Sequence, residues 1–286
     1  MKTLKNIASL LVGLLLVQFV LASDFIDAKA VAKIMNNDNV VLISAQKAPL
    51  YHDFHITGSI NLPPSELTVD EPVPYVNMST AEMATLLGKK GVSNQNTIIV
   101  YDEGSHKYSG RLYWVLKYLG AEDVKILNGG IKAWQASRKP ISSATTTLPA
   151  TQFVAQVQPQ YLADLAEVKK ATEGNGFVII DARSDAEYNG TNETDLRLGH
   201  IPNAIHIEYL AIMDANGKVM TDEQLKSLYV AQGVTSDKTI IIYCKSSVRA
   251  AIEFAALHSA LGYPNVKVFD GAFYEWESQP ALQVIP

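Results

Sequence analysis

Two long stretches of this chain repeat each other, and this repeat limits the possible folds more than any other feature. The segment GVSNQNTIIVYDEG begins at Gly91, and GVTSDKTIIIYCKS begins 142 residues later at Gly233. The same spacing separates Trp134 from Trp276. Solenoid repeats are only about 20–45 residues long, so units of this length indicate domains. The chain is therefore predicted to contain two related domains.

Further matches upstream of these segments have a different spacing. HITGSINL begins at His55 and resembles HIPNAIHI, which begins 145 residues later at His200. VVLISA ends at Ala45 and resembles FVIIDA, which ends 137 residues later at Ala182. Because the spacing changes between matches, we expect the two domains to share their elements and to differ in the lengths of their loops.

The boundary between the domains is predicted in the segment SRKPISSATTTLPATQF, which covers 137–153. This segment is rich in Ser, Thr and Pro and lacks apolar periodicity, which is typical of a linker. We predict a first domain over 24–140, a linker over 141–152 and a second domain over 153–286.

Short apolar runs alternate with helical patterns in each unit. In the second unit the patterns predict strands over 177–181, 238–243 and 265–269, and helices over 221–232 and 247–261. Runs such as TIIIY are continuously apolar and β-branched, as buried parallel strands are. The alternation predicts an α/β fold in which each domain has a parallel sheet flanked by helices.

The first 22 residues predict an export signal. Lys2 and Lys5 precede an apolar stretch over 7–21, and the small residue Ala22 offers a cleavage site. The stretch is short for a membrane span, although an uncleaved anchor is the alternative. We therefore predict a signal peptide over 1–22 and a secreted, periplasmic protein with no stable membrane anchor after cleavage.

The overall charge argues against a nucleic-acid partner. The formal net charge is −5, and cleavage after Ala22 would remove two lysines and leave −7. The chain shows no basic stripe or lysine run of the kind that nucleic-acid-binding proteins use. An anionic small-molecule substrate would therefore require positive charge concentrated locally at its site.

Cys244 is the single cysteine of the chain, and its sequence context favours a reactive thiol. It directly follows a predicted strand, at the edge of an α/β sheet where ligands bind. Lys245, Arg249 and the start of the next helix add positive charge nearby, which favours the thiolate over the thiol. A buried inert thiol is the structural alternative. We predict that Cys244 is a nucleophile in a loop that attracts anions.

Other reactive chemistries receive less support from the residues. The six histidines are scattered without ligand spacing, so we predict no metal site and no cofactor. His55 and His200 occupy matching positions in both repeats, which indicates structural roles. A cysteine phosphatase needs five residues between Cys and Arg, whereas four separate Cys244 from Arg249.

Four motifs in the second half, in this order, resemble the tandem rhodanese family of thiosulfate and 3-mercaptopyruvate sulfurtransferases. They are DARSDAEY, GHIPNAIHI, CKSSVRAA and FDGAFYEW. The resemblance covers almost the whole chain after the signal. It implies two rhodanese-like domains and an enzyme that moves a sulfane sulfur from an anionic donor to cyanide, a thiol or a protein acceptor.

The resemblance also implies roles for individual residues. Cys244 would carry the sulfur as a persulfide, in covalent two-step catalysis. Its loop and the DAR motif would bind the substrate through Lys245, Ser246, Ser247, Val248, Arg249 and Arg183. An ion pair with a nearby carboxylate is the alternative role for Arg183. Thiosulfate is the expected donor, with 3-mercaptopyruvate as an alternative.

Several positions depart from the family pattern. Asp102 stands in the first domain where Cys244 stands in the second, so we expect the first domain to be catalytically inactive. Glu187 stands where a second arginine is common, and Ser247 replaces a glycine. Arg111 is expected to be a core ion-pair partner. These departures leave a third possibility, a sulfur carrier with little turnover on small donors.

Overall fold

The repeat seen in the sequence is a repeat of whole domains in the computed structural model, which describes residues 23–192 and 196–286. The predicted signal peptide lies outside the described residues. Among the described helices, none combines the length and apolar character that a membrane crossing requires.

The first domain is built on a five-stranded sheet in which all neighbouring strands are parallel. The strand order is β1-β8-β7-β2-β4, and two short antiparallel pairs, β3–β9 and β5–β6, lie outside this sheet. The strands are β1 (Phe25–Ile26), β2 (Val40–Ser44), β3 (His55–Ile56), β4 (Ile60–Asn61), β5 (Thr68–Val69), β6 (Val76–Asn77), β7 (Thr97–Tyr101), β8 (Val124–Leu127) and β9 (Ile141–Ser142). The α-helices are α1 (Ala28–Ile34), α2 (Ala48–Asp53), α3 (Thr80–Lys89), α4 (Lys107–Tyr118) and α5 (Gly130–Ala136), and a 3₁₀ turn covers Pro64–Leu67.

The second domain repeats this architecture with the strand order β10-β14-β13-β11-β12, again all parallel. The strands are β10 (Leu162–Ala163), β11 (Phe177–Asp181), β12 (Ala204–His206), β13 (Thr239–Tyr243) and β14 (Val266–Phe269). The helices are α6 (Leu165–Ala171), α7 (Asp185–Tyr188), α8 (Asp222–Ala231), α9 (Ala250–Ala255) and α10 (Ala272–Glu277), with 3₁₀ turns at Pro159–Tyr161 and Tyr209–Ile212 and a π-helical turn at Ala256–Ala260. The predicted fold class is confirmed.

Most predicted elements of the second domain agree with the structure to within one residue at each end. The helix predicted over 247–261 is the exception, because α9 begins only at Ala250. The residues before it form the loop that follows Cys244, and Ser247 has a φ of +60°, which an α-helix excludes.

The predicted linker over 141–152 runs along the surface of the first domain. Its first residues form β9, which pairs with β3. Farther along, the backbone amide of Thr151 donates to the carbonyl of Gly88 at 2.9 Å. A methyl group added at Gly88 would lie 2.8 Å from the Thr151 carbonyl oxygen, so this close approach requires glycine.

The two domains pack through α4 and α9, which meet at Gly110. A side chain at Gly110 would approach the backbone of Ile252 to 2.8 Å, so the helices touch without an intervening side chain. On one side of this contact, Asp270 accepts a hydrogen bond from the Asn77 amide at 3.0 Å.

The other side of the helix contact repeats this arrangement with the domains exchanged. Asn128 accepts a hydrogen bond from the Val219 amide at 2.8 Å. Each domain therefore forms a hydrogen bond to a loop of the other. Asn77 and Asp270 of one pair occupy the same repeat positions as Val219 and Asn128 of the other.

The structural roles expected for three repeated or buried side chains are confirmed. His55 and His200 each donate through Nδ1 to the carbonyl of a tyrosine, at 2.7 and 3.0 Å, and stack on that tyrosine ring. Arg111 is fully buried and pairs with Asp270 at 2.6 Å. Because Asp270 belongs to the second domain, this ion pair joins the two domains.

Candidate active site

Cys244 lies immediately after β13, at the carboxyl edge of the second sheet, and is fully buried. Its carbonyl accepts a hydrogen bond from the amide of Phe273 at 2.9 Å, which fixes the start of the loop against α10. The loop 245–249 then leads into α9. The sequence-based placement of Cys244 at the sheet edge is therefore confirmed.

Ser247 anchors the loop to the neighbouring strand. Its Oγ lies 2.5 Å from the Phe269 carbonyl and 2.8 Å from the Asp270 carbonyl, at the end of β14. Its φ of +60° lies in the left-handed region, which glycine adopts at lower cost than any other residue. The two hydrogen bonds of the Ser247 hydroxyl thus offset the cost of a backbone conformation that serine disfavours. They also direct the Ser247 side chain towards β14.

Lys245 is held against α10. Its Nζ lies 2.6 Å from Oε1 of Glu277, and its ammonium also lies near the rings of Phe273 and Tyr274. The Glu277 side chain is almost completely buried. A carboxylate therefore already compensates the charge of Lys245.

Arg249 forms a two-point ion pair with Glu187. The guanidinium Nη1 and Nη2 donate to the two carboxylate oxygens at 2.6 and 2.7 Å. Burial alone would raise the pKa of Glu187, but the hydrogen bonds and charge of Arg249 outweigh it and lower that pKa to about 2. Glu187 also accepts hydrogen bonds from the amide and hydroxyl of Ser184, so α7 holds it in place.

Arg249 also interacts with the cysteine. Burial would lower the pKa of Arg249, but hydrogen bonding to Glu187 and the interaction with Cys244 raise it above its usual value. The Arg249 guanidinium therefore interacts with both Glu187 and Cys244, and it stays charged at any accessible pH.

Arg183 lies inside the second domain and is fully buried. Its Nη2 lies 2.7 Å from Oδ2 of Asp181 and 2.8 Å from the carbonyl of Gly199. Its guanidinium also stacks on the ring of Phe273 at 3.9 Å. This geometry favours the ion-pair alternative, and a contact with substrate stays a prediction. Arg197, an arginine near the DAR motif in sequence, directs its Nη1 to the carbonyl of Gln279.

A cleft of about 330 Å³ lies between the domains, next to the Cys244 loop. The second domain lines it with Ser246, Val248, Arg249 and Tyr274. The first domain contributes Ala45, Lys47, Pro63, Pro64, Ser65, Thr68, Tyr75, Lys107 and Tyr108. A larger cavity of about 800 Å³ lies beside the C-terminal segment, but none of the predicted site residues lines it. The interdomain cleft is therefore the candidate active site.

The first-domain wall of this cleft was missed by sequence reasoning. The β5–β6 connection places Tyr75 near Tyr274, with ring centroids 6.3 Å apart and nearly parallel rings. Lys107 and Tyr108 come from the start of α4. The repeat itself carries one signal, because Lys107 stands in the first domain where Arg249 stands in the second.

The loop of the first domain has its anion site filled by its own side chain. The Asp102 carboxylate accepts hydrogen bonds from four backbone amides at 2.8–3.1 Å, those of Gly104, His106, Tyr108 and Ser109. The repeat matches Gly104 and His106 to Ser246 and Val248. Within the described residues, the amides of Ser246 and Val248 donate to no protein acceptor.

Comparison with known proteins finds that two segments of this chain match the same domain family. A family model described as "Rhodanese-like domain" matches residues 27–137 and 164–279. The chain is 33% identical over 240 residues to 3-mercaptopyruvate sulfurtransferase of Escherichia coli strain K12, covering 82% of this chain and 85% of that protein.

Two further relatives have different names. The sulfur carrier protein TtuD of Thermus thermophilus is 31% identical over 79% of this chain and 84% of its own length. A Mycobacterium leprae protein named "Putative thiosulfate sulfurtransferase" is 31% identical over 85% of this chain and 91% of its own length. The wild-type structure of EanB shares the fold, with a TM-score of 0.84 at 21% identity, covering 92% of this chain and 70% of EanB.

Proposed function

This chain belongs to the rhodanese family of sulfurtransferases, and we propose that it transfers a sulfane sulfur through a persulfide on Cys244. The proposed donor is thiosulfate, and the proposed acceptors are cyanide or thiols. The second domain carries the chemistry, and the first domain lacks a nucleophile because Asp102 replaces the cysteine.

The observation that carries this proposal is the contrast between the two loops. In the first domain the Asp102 carboxylate takes up the loop amides. In the second domain the matching amides of Ser246 and Val248 are left for the cysteine sulfur and for the oxygens of a bound donor. Backbone amides fixed in this way stabilise negative charge as it develops.

The reaction proceeds in two displacements that need no external oxidant or reductant. The Cys244 thiolate attacks the outer sulfur of thiosulfate, the S–S bond breaks, and sulfite leaves with the electron pair. The persulfide that remains carries the sulfane sulfur. Cyanide or a thiolate then attacks the outer sulfur of Cys244, and the cysteine leaves as the thiolate. Arg249 stabilises the negative charge on the Cys244 sulfur in both steps.

Two observations support 3-mercaptopyruvate as the alternative donor. The Escherichia coli relative bears that name. In addition, Glu187 compensates the charge of Arg249, which reduces the advantage of a dianion such as thiosulfate over a monoanion. A sulfur carrier that takes its sulfur from a protein is a further candidate, supported by the name of the Thermus relative.

The proposed compartment is the periplasm, reached by cleavage after Ala22. Lys2, Lys5 and the apolar stretch over 7–21 support this proposal. Mass spectrometry of the protein recovered from a periplasmic extract is expected to show a chain that begins at Ser23. An uncleaved chain in the membrane fraction would overturn it.

The persulfide can be detected directly by intact mass. Purified protein incubated with thiosulfate is expected to gain about 32 Da, the mass of one sulfur, and to lose it on addition of cyanide. The Cys244→Ser protein is the control and is expected to gain nothing. A gain with 3-mercaptopyruvate alone would change the donor, and sulfur transfer at the wild-type rate by Cys244→Ser would overturn the mechanism.

A further inference from the structure

The cations that the second domain offers near Cys244 are already compensated. Three carboxylates pair with the three predicted cations: Glu187 with Arg249, Glu277 with Lys245 and Asp181 with Arg183. A compensated cation attracts an external anion weakly, because the carboxylate cancels most of its field at a distance. The second domain therefore adds little net positive charge to the mouth of the cleft.

The first domain supplies uncompensated cations to the same cleft. Lys47 is exposed at the start of α2, and Lys107 lies at the start of α4 with its Nζ 4.9 Å from the centroid of the Tyr108 ring. Within residues 23–192 and 196–286, neither lysine forms an ion pair with a carboxylate. The net positive charge of the cleft thus belongs to the domain that lacks the nucleophile.

The cleft is larger than sulfur transfer from a small inorganic donor requires. Its volume of about 330 Å³ lies in the range of sites that bind organic ligands. Tyr75, Tyr108 and Tyr274 give it walls that suit the carbon skeleton of such a ligand. The space outside the Cys244 loop therefore matches an organic molecule with an anionic group.

The geometry of the second displacement indicates which reactant occupies this space. A donor must bring its sulfur to Cys244 itself, behind the loop residues Ser246, Val248 and Arg249 that line the cleft. An acceptor attacks the outer sulfur of the persulfide, which lies one S–S bond, about 2 Å, farther from the cysteine. The body of the acceptor consequently lies farther out, where the first domain forms the wall.

We propose that Lys47 and Lys107 form an anion-binding rim that selects thiol acceptors carrying a carboxylate. The inference rests on the proposed persulfide chemistry at Cys244. The acceptor thiolate attacks the outer sulfur, the Cys244 thiolate leaves, and the product is the persulfide of the acceptor. The lysines bind the carboxylate and take no part in bond making.

Three thiols in which two methylene groups separate the sulfur from the end group test the rim: cysteamine is cationic, 2-mercaptoethanol is neutral and 3-mercaptopropionate is anionic. Protein loaded with sulfur from thiosulfate is mixed with each thiol, and loss of the persulfide is followed by intact mass. In Lys47→Ala and Lys107→Ala, the rate for 3-mercaptopropionate relative to 2-mercaptoethanol is expected to fall about two- to fivefold per lysine. The relative rate for cysteamine is expected to rise.

Lys226→Ala is the matched control, because Lys226 is exposed on α8 and does not line the cleft. It removes the same charge from the protein and is expected to leave the three relative rates unchanged. Absolute rates with 2-mercaptoethanol, which carries no second charged group, report any general damage to the persulfide. If the double variant Lys47→Ala, Lys107→Ala shows the same relative rates for the three thiols as the wild-type protein, the proposed rim is wrong.

Alkylation of Cys244 tests the rim without any sulfur transfer. Iodoacetate is anionic and iodoacetamide is neutral, and both add to the single cysteine of the chain. The ratio of their rates is expected to fall in the double variant and to stay constant in Lys226→Ala. If the wild-type protein forms no persulfide, the proposed function is wrong. The ratio of the iodoacetate rate to the iodoacetamide rate still tests the rim in that case. An equal ratio in wild type and double variant rejects it.

Discussion

At the end of β7 the Asp102 side chain accepts hydrogen bonds from four amides of its own loop. At the end of β13 the matching residue is Cys244, and within the described residues the amides of Ser246 and Val248 donate to no protein acceptor. A carboxylate brings a permanent negative charge to such a site and completes it. A cysteine can be charged, can accept a sulfur atom and can release it. The same fold therefore gives a loop closed by its own carboxylate in one domain, and under the proposed function a loop that binds anions repeatedly in the other.

The contrast extends to the strands beside these loops. In the first domain, Ser44 and Gln46 form a neutral hydrogen bond at 3.0 Å after β2. In the second domain, Asp181 and Arg183 form a buried ion pair at the matching position after β11. At this position the domain that carries Cys244 uses an ion pair, whereas the first domain uses a neutral hydrogen bond.

The largest expected effect comes from Cys244→Asp, which gives the second loop the side chain of the first. The carboxylate is expected to accept hydrogen bonds from the Ser246 and Val248 amides, so the protein folds but gains no sulfur from thiosulfate. Intact mass measures the sulfur and circular dichroism the fold. Cys244→Ser is the control for loss of the nucleophile alone, and a Cys244→Asp protein that fails to fold would show that the two loops are not equivalent.

A smaller effect is expected from Glu187→Gln, which removes the carboxylate partner of Arg249. Breaking a largely buried ion pair leaves a charge uncompensated, and the free energy of unfolding at pH 7 is expected to fall by about 1–3 kcal/mol. Urea unfolding of both proteins measures the change. Lys245→Gln, which disrupts the other loop ion pair without touching Arg249, is the comparison.

The same substitution changes the response to acid. Because the pKa of Glu187 is lowered to about 2 in the folded protein, the ionised Glu187 contributes its full stabilisation of the fold above about pH 4.5. It is lost as the pH falls from there towards 2. The wild-type protein is therefore expected to lose more stability than Glu187→Gln over this window, and equal losses would contradict the pairing.

The smallest effect is expected from Glu253→Gln on α9, at the position where the first domain has Arg111. Arg111 pairs with Asp270, whereas the fully buried Glu253 has Tyr229 as its hydrogen-bond donor. Burial, partly offset by this hydrogen bond, raises the pKa of Glu253 well above its usual value, so folding favours the neutral acid over the carboxylate.

The sign of the effect follows from this raised pKa. The unfolded chain releases the proton above about pH 4.5, so the stability of the wild-type protein falls as the pH rises from that value. Glu253→Gln is expected to be more stable at pH 7 by on the order of 1 kcal/mol. Chemical unfolding at pH 5 and pH 7 measures the gain, which should shrink at the lower pH. A less stable variant would show that the carboxyl group is needed.

The sequence predicted the features that depend on local pattern. Continuous β-branched runs predicted β11 and β13, and the repeat predicted two domains with Cys244 and Asp102 at equivalent sheet edges. The end of a strand fixes where the next residue lies, so the position of Cys244 followed from the strand alone.

The partners of the loop cations could not be predicted in this way. Glu187 is 62 residues from Arg249, and Glu277 is 32 residues from Lys245. Which carboxylate meets which cation depends on the order of strands in the sheet and on the position of α10. The placement of Lys47 and Lys107 in the wall of the cleft depends in addition on how the two domains dock. No local sequence pattern encodes this docking.

The reciprocal docking of the domains has a consequence for how reactants enter. Asp270 holds the first domain on one side of the α4–α9 contact, and Asn128 holds the second on the other. A rigid-body motion of one domain relative to the other would strain both connections. How far the cleft can open for a reactant is therefore tied to the strength of these two interdomain connections.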